Sequence, residues 1–201
     1  MNFDNMIKVT FLGEVGTGKS SIINRFVNSN FKQSSPPTIG AANLSKSIMH
    51  MNQEFTFSIW DTAGQERYKS ISKMLYRDAK AVVLVFDLTS KASFEALNSW
   101  HASVEETSPT NIIIIIAGNK IDAENPQVNI ENAQKYAKNI NASLFFVSAK
   151  TGESVNLIFE KIAEILVSRG ESSITKLQDV DDKSSFLLSD TNIIQKKKKC
   201  C

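Results

Sequence analysis

The chain reads as an α/β domain: a doubly wound, mostly parallel six-stranded sheet with one antiparallel edge strand and helices on both faces. Three observations predict it. Short apolar runs alternate with amphipathic runs of helical period along the first 168 residues, as in strand–helix units joined by right-handed crossovers. Two runs, residues 81–88 (apolar but for Asp87) and 112–117, read as strands buried on both faces of a parallel sheet. The chemically distinctive short motifs fall at the ends of these runs, where ligands of open α/β sheets lie.

The first strand, Ile7–Leu12, runs into Gly13-Glu14-Val15-Gly16-Thr17-Gly18-Lys19-Ser20, which fits G-x-x-x-x-G-K-[ST]. An amphipathic helix follows, with Ile22, Ile23, Phe26 and Val27 at helical spacing. Glycines let successive N–H groups converge on one point, and the helix N-terminus adds its positive dipole end there. Glu14, Val15, Gly16, Thr17, Gly18, Lys19, Ser20 and Ser21 form the expected phosphate cradle. Lys19 is placed for β- and γ-phosphates, and the Ser20 hydroxyl for the Mg²⁺ that bridges them. A Gly-rich turn with a chance Lys-Ser is the alternative, and the strand before and helix after argue against it.

Residues 28–37 are polar, and Ser34-Ser35-Pro36-Pro37 marks a loop. Residues 45–60 hold two strand-like runs, with Asn52-Gln53 expected as the hairpin turn. Phe55, Phe57 and Ile59 alternate with polar residues, so one face is buried. The second run ends in Asp61-Thr62-Ala63-Gly64-Gln65-Glu66-Arg67. A lone D-x-x-G is usually a turn. At a strand end downstream of a P-loop, Asp61 is placed to hold Mg²⁺ through water, Gly64 to offer its N–H to a γ-phosphate, and Gln65 to orient an attacking water.

Residues 93–107 read as a helix with Phe94, Leu97, Trp100 and Val104 on one face. His101 and His50 read as structural or surface residues, since neither has a metal partner at ligand spacing. The strand with five consecutive isoleucines ends in Asn119-Lys120-Ile121-Asp122. This N-K-x-D decides the base. A carboxylate at Asp122 accepts from guanine N1–H and the 2-amino group; adenine has neither donor and would leave the charge unpaired. Asn119 is placed for the purine N7 side and the P-loop strand, and the Lys120 stem for the base face. Residues 130–140 read as a helix and 143–147 as the last strand, followed by Ser148-Ala149-Lys150, whose backbone reaches toward a guanine carbonyl. Val155, Ile158, Phe159, Ile162, Ile165 and Leu166 form the stripe of a final helix.

Residues 1–169 are thus expected as one domain and 170–201 as a disordered tail, Ser-, Asp- and Lys-rich and without period. The tail would span roughly 30 Å on average and about 100 Å when stretched. It ends in Lys196 to Lys199 and then Cys200-Cys201, the chain's two cysteines. With no disulfide framework, a reducing compartment is expected. A net charge of +2 makes no case for nucleic-acid binding. No signal peptide is visible, Asn2 excludes N-myristoylation, and the longest apolar run is too short to span a bilayer.

These motifs, GEVGTGKS, TIG, WDTAGQER, GNKID and SAK, resemble the Ras-superfamily small GTPases over residues 6–168. Trp60, the stretch at residues 76–79 and the terminal Cys-Cys are most similar to the Rab family. TIGAA and AGNK give a leaning to the endosomal Rabs. The resemblance implies a small G domain of the P-loop NTPase class. It would act as a GTP-binding switch of vesicle trafficking that hydrolyses GTP slowly to GDP, at about 10⁻⁴ to 10⁻³ s⁻¹ unaided. Thr38 would ligate Mg²⁺ along with Ser20 and Asp61, Phe31 would pack against guanine, and Gln65 and Lys19 would carry catalysis. Cys200 and Cys201 would carry geranylgeranyl groups. Expected partners are GTP and GDP, an exchange factor, an activating protein, an escort protein, a dissociation inhibitor, and effectors reading the switch regions. The expected location is the cytoplasmic face of endomembranes, with a cytosolic inhibitor-bound pool.

Four residues depart from the family pattern: Val15, Asn43, Leu75 and Asp78. Val15 stands where relatives carry a small residue, which keeps open a second reading as a GTP-locked membrane scaffold with little hydrolysis. Asn43 and Leu75 remove aromatics from the patch that Rab effectors read. A P-loop phosphotransferase would need an Arg-rich lid, and the sequence has no such stretch.

Overall fold

The computed structural model describes residues 6–33, 36, 38, 40–63, 76–108 and 111–171. In chain order the elements are β1 (Ile7–Leu12), α1 (Lys19–Asn28), β2 (Ala41–His50), β3 (Gln53–Thr62), β4 (Ala81–Asp87), α2 (Lys91–Glu95), α3 (Leu97–Thr107), β5 (Ile113–Asn119), α4 (Ile130–Asn139), β6 (Ser143–Val147) and α5 (Val155–Ser168). They build one six-stranded sheet in the order β2-β3-β1-β4-β5-β6. The β2–β3 pair is antiparallel and every other pair is parallel, so β2 is the expected antiparallel edge.

Period-two alternation sorts the strand side chains onto two cores. Val9, Phe11, Val83 and Val85 face one side with α1 and α5, where Phe26 of α1 stacks on Phe159 of α5 at 3.5 Å between ring centroids. Leu12, Val82, Leu84 and Phe86 face the other side with α3 and α4, around Leu97, Trp100 and Val104. Because both faces are covered, all seven residues of β4 are buried.

Several boundaries differ from the sequence reading, among them the start of β2 at Ala41 and the end of β3 at Thr62, outside the expected residues 45–60. The hairpin turn is Met51-Asn52, not Asn52-Gln53; His50 pairs with Gln53, and both turn residues have positive φ, 48° and 61°. That is the left-handed pair a two-residue hairpin needs to match strand twist. The helix expected over residues 93–107 starts at Lys91, because the Ser90 side chain caps it by accepting from the Ser93 amide, and it divides at Ala96 into α2 and α3. Ile140 caps α4 instead of extending it. His101, its side chain largely buried, lies 3.6 Å from the exposed Glu105 carboxylate one turn on, consistent with a structural role. The expected tail lies outside the described residues, apart from Gly170 and Glu171.

Candidate functional site

A cavity of about 370 Å³ opens at the carboxyl ends of β1, β3, β5 and β6. Its walls come from the loop after β1, the start of α1, the residues Phe31, Lys32, Gln33, Pro36 and Thr38, and the loops after β5 and β6.

The loop after β1 is drawn tight by two glycines. A Cβ on Gly13 would stand 2.1 Å from the Val85 carbonyl oxygen, and one on Gly18 would stand 2.2 Å from Asn119 Nδ2. Both also have positive φ, so no other residue fits either place without strain. Gly16, Gly18, Val15 and Ser21 line the cavity as expected, whereas Glu14 and Thr17 turn away from it. The Glu14 carboxylate accepts from Trp100 Nε1 at 3.1 Å, and the Thr17 hydroxyl donates to the Glu14 carbonyl at 2.9 Å. These two therefore shape the loop backbone.

Lys19 is only 5% exposed and folds over the loop, donating from Nζ to the Gly13 carbonyl at 2.7 Å and the Glu14 carbonyl at 2.9 Å. Burial lowers its pKa from 10.5 to about 8, against the opposing pull of Asp61 and Glu14. The unfolded chain therefore binds the extra proton between pH 8 and 10.5, so stability rises with pH across that window. In nucleotide-free, metal-free protein the gain from this group is expected to be about 3 kcal/mol. In denaturant melts the wild type should gain stability relative to Lys19→Met as pH rises from 8 to 10.5. A constant difference over that window would contradict the buried-cation reading.

Three oxygens meet beside Lys19. The Ser20 and Thr38 hydroxyls are 2.8 Å apart, and the Thr38 hydroxyl donates to Asp61 Oδ2 at 3.4 Å. Asp61 Oδ1 is buried with no hydrogen-bond partner among the described residues. Burial raises the Asp61 pKa, while the Ser20 hydroxyl, the Lys19 charge and the Thr38 hydroxyl pull it down. A buried carboxylate oxygen without a partner is costly unless a cation or water meets it. Two hydroxyls and one carboxylate are hard donors too few to cage an ion. They suit Mg²⁺, which keeps waters and takes its remaining ligands from a bound phosphate. The residues fit that metal.

At the other end of the cavity stand Asn119, Lys120 and Asp122. Asn119 is buried and joins two loops: its Nδ2 donates to the Thr17 carbonyl at 2.8 Å, and its Oδ1 accepts from the Ala149 amide at 3.1 Å. Lys120 adopts a left-handed φ of 67°, and its Nζ is held 2.6 Å from Asp87 Oδ2. Asp87 Oδ1 in turn accepts from the Thr89 amide and hydroxyl, each at 2.8 Å. Asp122 Oδ1 accepts from the Ser148 hydroxyl at 2.6 Å, and Lys150 Nζ lies 3.6 Å from Oδ2. The Ser148 bond chiefly, with Lys150 helping, lowers the Asp122 pKa, so the carboxylate is ionised at neutral pH. Ser148 itself is fully buried and positions Asp122, whereas Ala149 and Lys150 line the wall. Phe31 lines it too.

The expected Gly64, Gln65, Cys200 and Cys201 lie outside the described residues, as does the departure at Leu75. Several residues of the site carry no motif. Asp87, Trp100 and Arg25 act from neighbouring elements, and Lys32 lines the cavity.

The Ras family sequence profile matches residues 8–168. The chain belongs to the Ras family, in its Rab branch. It is 41% identical over 158 residues to Ras-related protein Rab-31 of Homo sapiens, covering 78% of this chain and 81% of that one. It is 39% identical over 163 residues to Ras-related protein Rab-22A of Homo sapiens, covering 81% and 84%. GTP-binding protein YPT53 of Saccharomyces cerevisiae is 42% identical over 165 residues, covering 79% and 75%. The sheet order and antiparallel edge agree with the small G domain of this family. This Rab is a GTPase and a GTP-binding switch of vesicle trafficking.

Proposed function

We propose that the cavity holds guanine nucleotide with its phosphates in the loop after β1 and its base against Asp122. The observation that carries this reading is the pairing of ends: a carboxylate kept ionised by Ser148 at one, a buried lysine at the other. Lys19 offsets phosphate charge. Ser20 and Thr38, with Asp61 through water, would hold Mg²⁺, which would supply positive charge to offset that of the phosphates. Asp122 accepts from N1–H and the 2-amino group, Asn119 faces N7, the Ser148–Ala149–Lys150 backbone donates to the 6-oxo group, and Phe31 and the Lys120 stem cover the base. Gly64 and Gln65 offer an N–H to the γ-phosphate and orient the attacking water. No arginine of the described residues lines the cavity, which supports slow unaided turnover, about 10⁻⁴ to 10⁻³ s⁻¹. Competition of GDP, GTP and ATP for the purified protein tests the assignment; equal affinity for ATP would overturn it.

A second reading rests on Val15. It is 49% exposed at the cavity wall, an unusual place for a branched apolar side chain. Its isopropyl group is stiff about χ1 and stands where an attacking water and an activator side chain approach. Such a chain would persist as a GTP-bound scaffold. Val15→Gly and Val15→Ser are expected to speed activator-stimulated hydrolysis more than intrinsic hydrolysis. Single-turnover assays with and without a competent activator measure this, and unchanged stimulated rates would retire the scaffold reading.

The domain reading is a G domain over residues 1–169 and a tail over 170–201 that tethers it through geranylgeranyl groups on Cys200 and Cys201. One lipid gives marginal membrane binding and two give stable anchoring. Each of Lys196 to Lys199 adds about 1 kcal/mol on an anionic leaflet. The switch would cycle between endomembranes, with an endosomal leaning, and a cytosolic inhibitor-bound pool, served by exchange factor, activating protein, escort protein, dissociation inhibitor and effectors. Fractionation is expected to show partial release for either cysteine changed to serine and full release for the double variant, with GTP binding intact. A double variant that still pellets with membranes would place the anchor elsewhere.

A further inference from the structure

Arg25 sits on α1, the helix that carries Lys19 and Ser20, yet its guanidinium is spent on the loop after β6. Its Nε donates to the Ala149 carbonyl at 2.9 Å, Nη2 to the Lys150 carbonyl at 2.5 Å, and Nη1 to the Ser29 carbonyl at 3.0 Å. Its stem packs on Gly152, where an added Cβ would stand 3.4 Å from Arg25 Cδ. The loop has other ties: the Gly152 amide donates to the Ser148 carbonyl at 2.8 Å and the Thr151 amide to Ser148 Oγ at 3.0 Å. None of these fixes the Ala149–Lys150 peptide; Arg25 does.

In a trans peptide the carbonyl of one residue and the N–H of the next point in opposite directions. Holding the Ala149 carbonyl toward α1 therefore turns the Lys150 N–H away from α1. That amide has no acceptor among the described residues, and both Ala149 and Lys150 line the cavity. We propose that Arg25 is a positioning residue for base recognition: by clamping two successive carbonyls it aims the Lys150 amide at the 6-oxo group of guanine, the Ala149 amide being held by Asn119 Oδ1 and the Ser148 amide by the Glu153 carbonyl. The proposal rests on the guanine reading above and adds a residue that touches no nucleotide. It assigns the two edges of the base to separate machinery, the 2-amino edge to Asp122 and the 6-oxo edge to the Arg25-clamped loop. A planar fork suits this role, because a lysine ammonium cannot hold two carbonyls in fixed relative orientation.

Two analogues separate the edges. 6-Thio-GDP differs from GDP only at the 6-oxo position, and IDP only at the 2-amino position. Competition binding against GDP is measured for the wild type, Arg25→Met and Arg25→Lys. In the variants the preference for GDP over 6-thio-GDP should fall by roughly three- to tenfold. Their preference for GDP over IDP should stay at the wild-type value. An unchanged 6-thio-GDP ratio overturns the proposal, even if affinity falls for all three ligands, because Arg25 is then only a structural tie. A parallel collapse of both ratios overturns it too. Wild-type protein that discriminates against IDP but not 6-thio-GDP also overturns it while leaving the guanine reading intact. Wild-type protein indifferent to both analogues would overturn the guanine reading itself.

Discussion

Asp122→Asn should lower GDP and GTP affinity by roughly two to four orders of magnitude and raise affinity for xanthine nucleotides. The wild-type carboxylate is exposed enough to meet a base and kept ionised by the Ser148 hydroxyl at 2.6 Å. Ionised, it is an acceptor only and takes both guanine donors. An asparagine offers one carbonyl and one N–H₂, so a guanine donor would face a donor; xanthine presents a carbonyl at that edge and restores the match. Competition binding with GDP and XDP reads the exchange of preference. A variant that still prefers guanine by the wild-type margin would remove Asp122 from base recognition. A second consequence follows from the lowered pKa: guanine preference should survive to more acidic pH than an ordinary carboxylate would allow, and be lost as pH falls through the folded-state pKa.

Ser20→Asn should cost about 100-fold or more in GTP affinity, with GDP affinity falling less, leaving protein biased toward GDP or empty. The Ser20 hydroxyl touches the Thr38 hydroxyl at 2.8 Å and helps hold Asp61 ionised against its burial. The larger amide would push into that cluster and bring a donor to a place that calls for oxygen. The loss falls harder on GTP because its third phosphate shares the metal. Nucleotide content and dissociation rates for the two nucleotides in saturating and depleted Mg²⁺ measure the bias. Equal retention of both would show that Ser20 is no ligand.

The parts of the site that were legible in the sequence are those whose chemistry is local in the chain. The loop from Gly13 to Ser20, Asp61 at a strand end, and Asn119 to Asp122 each place several groups within a few residues. The apolar runs that flank them fix which end of the sheet they share. What was not legible acts across long separations. Arg25 reaches the Ala149 carbonyl 124 residues away, and Trp100 reaches Glu14 across 86. An arginine on a helix face and a tryptophan in an apolar stripe look the same in sequence whether or not they hold a loop. Glu14 and Thr17 belong to the motif through their backbone; the folded loop turns both side chains away from the cavity, and their carbonyls accept from Lys19 and Asn119. The hairpin was misplaced by one residue because Met51 gives no turn signal, although it adopts the left-handed conformation beside Asn52. The start of α2 at Lys91 depends on the Ser90 cap, which the spacing of apolar residues does not reveal.

The central claim is that this Rab is a guanine-nucleotide switch that turns over. The most direct test is the fate of bound nucleotide. Protein loaded with GTP and Mg²⁺ is freed of excess ligand, and its bound nucleotide is followed by chromatography over hours. The account predicts stoichiometric GTP that converts to bound GDP at about 10⁻⁴ to 10⁻³ s⁻¹. Protein that takes up no GTP, or that holds GTP unchanged over that time even with a competent activator, would contradict it.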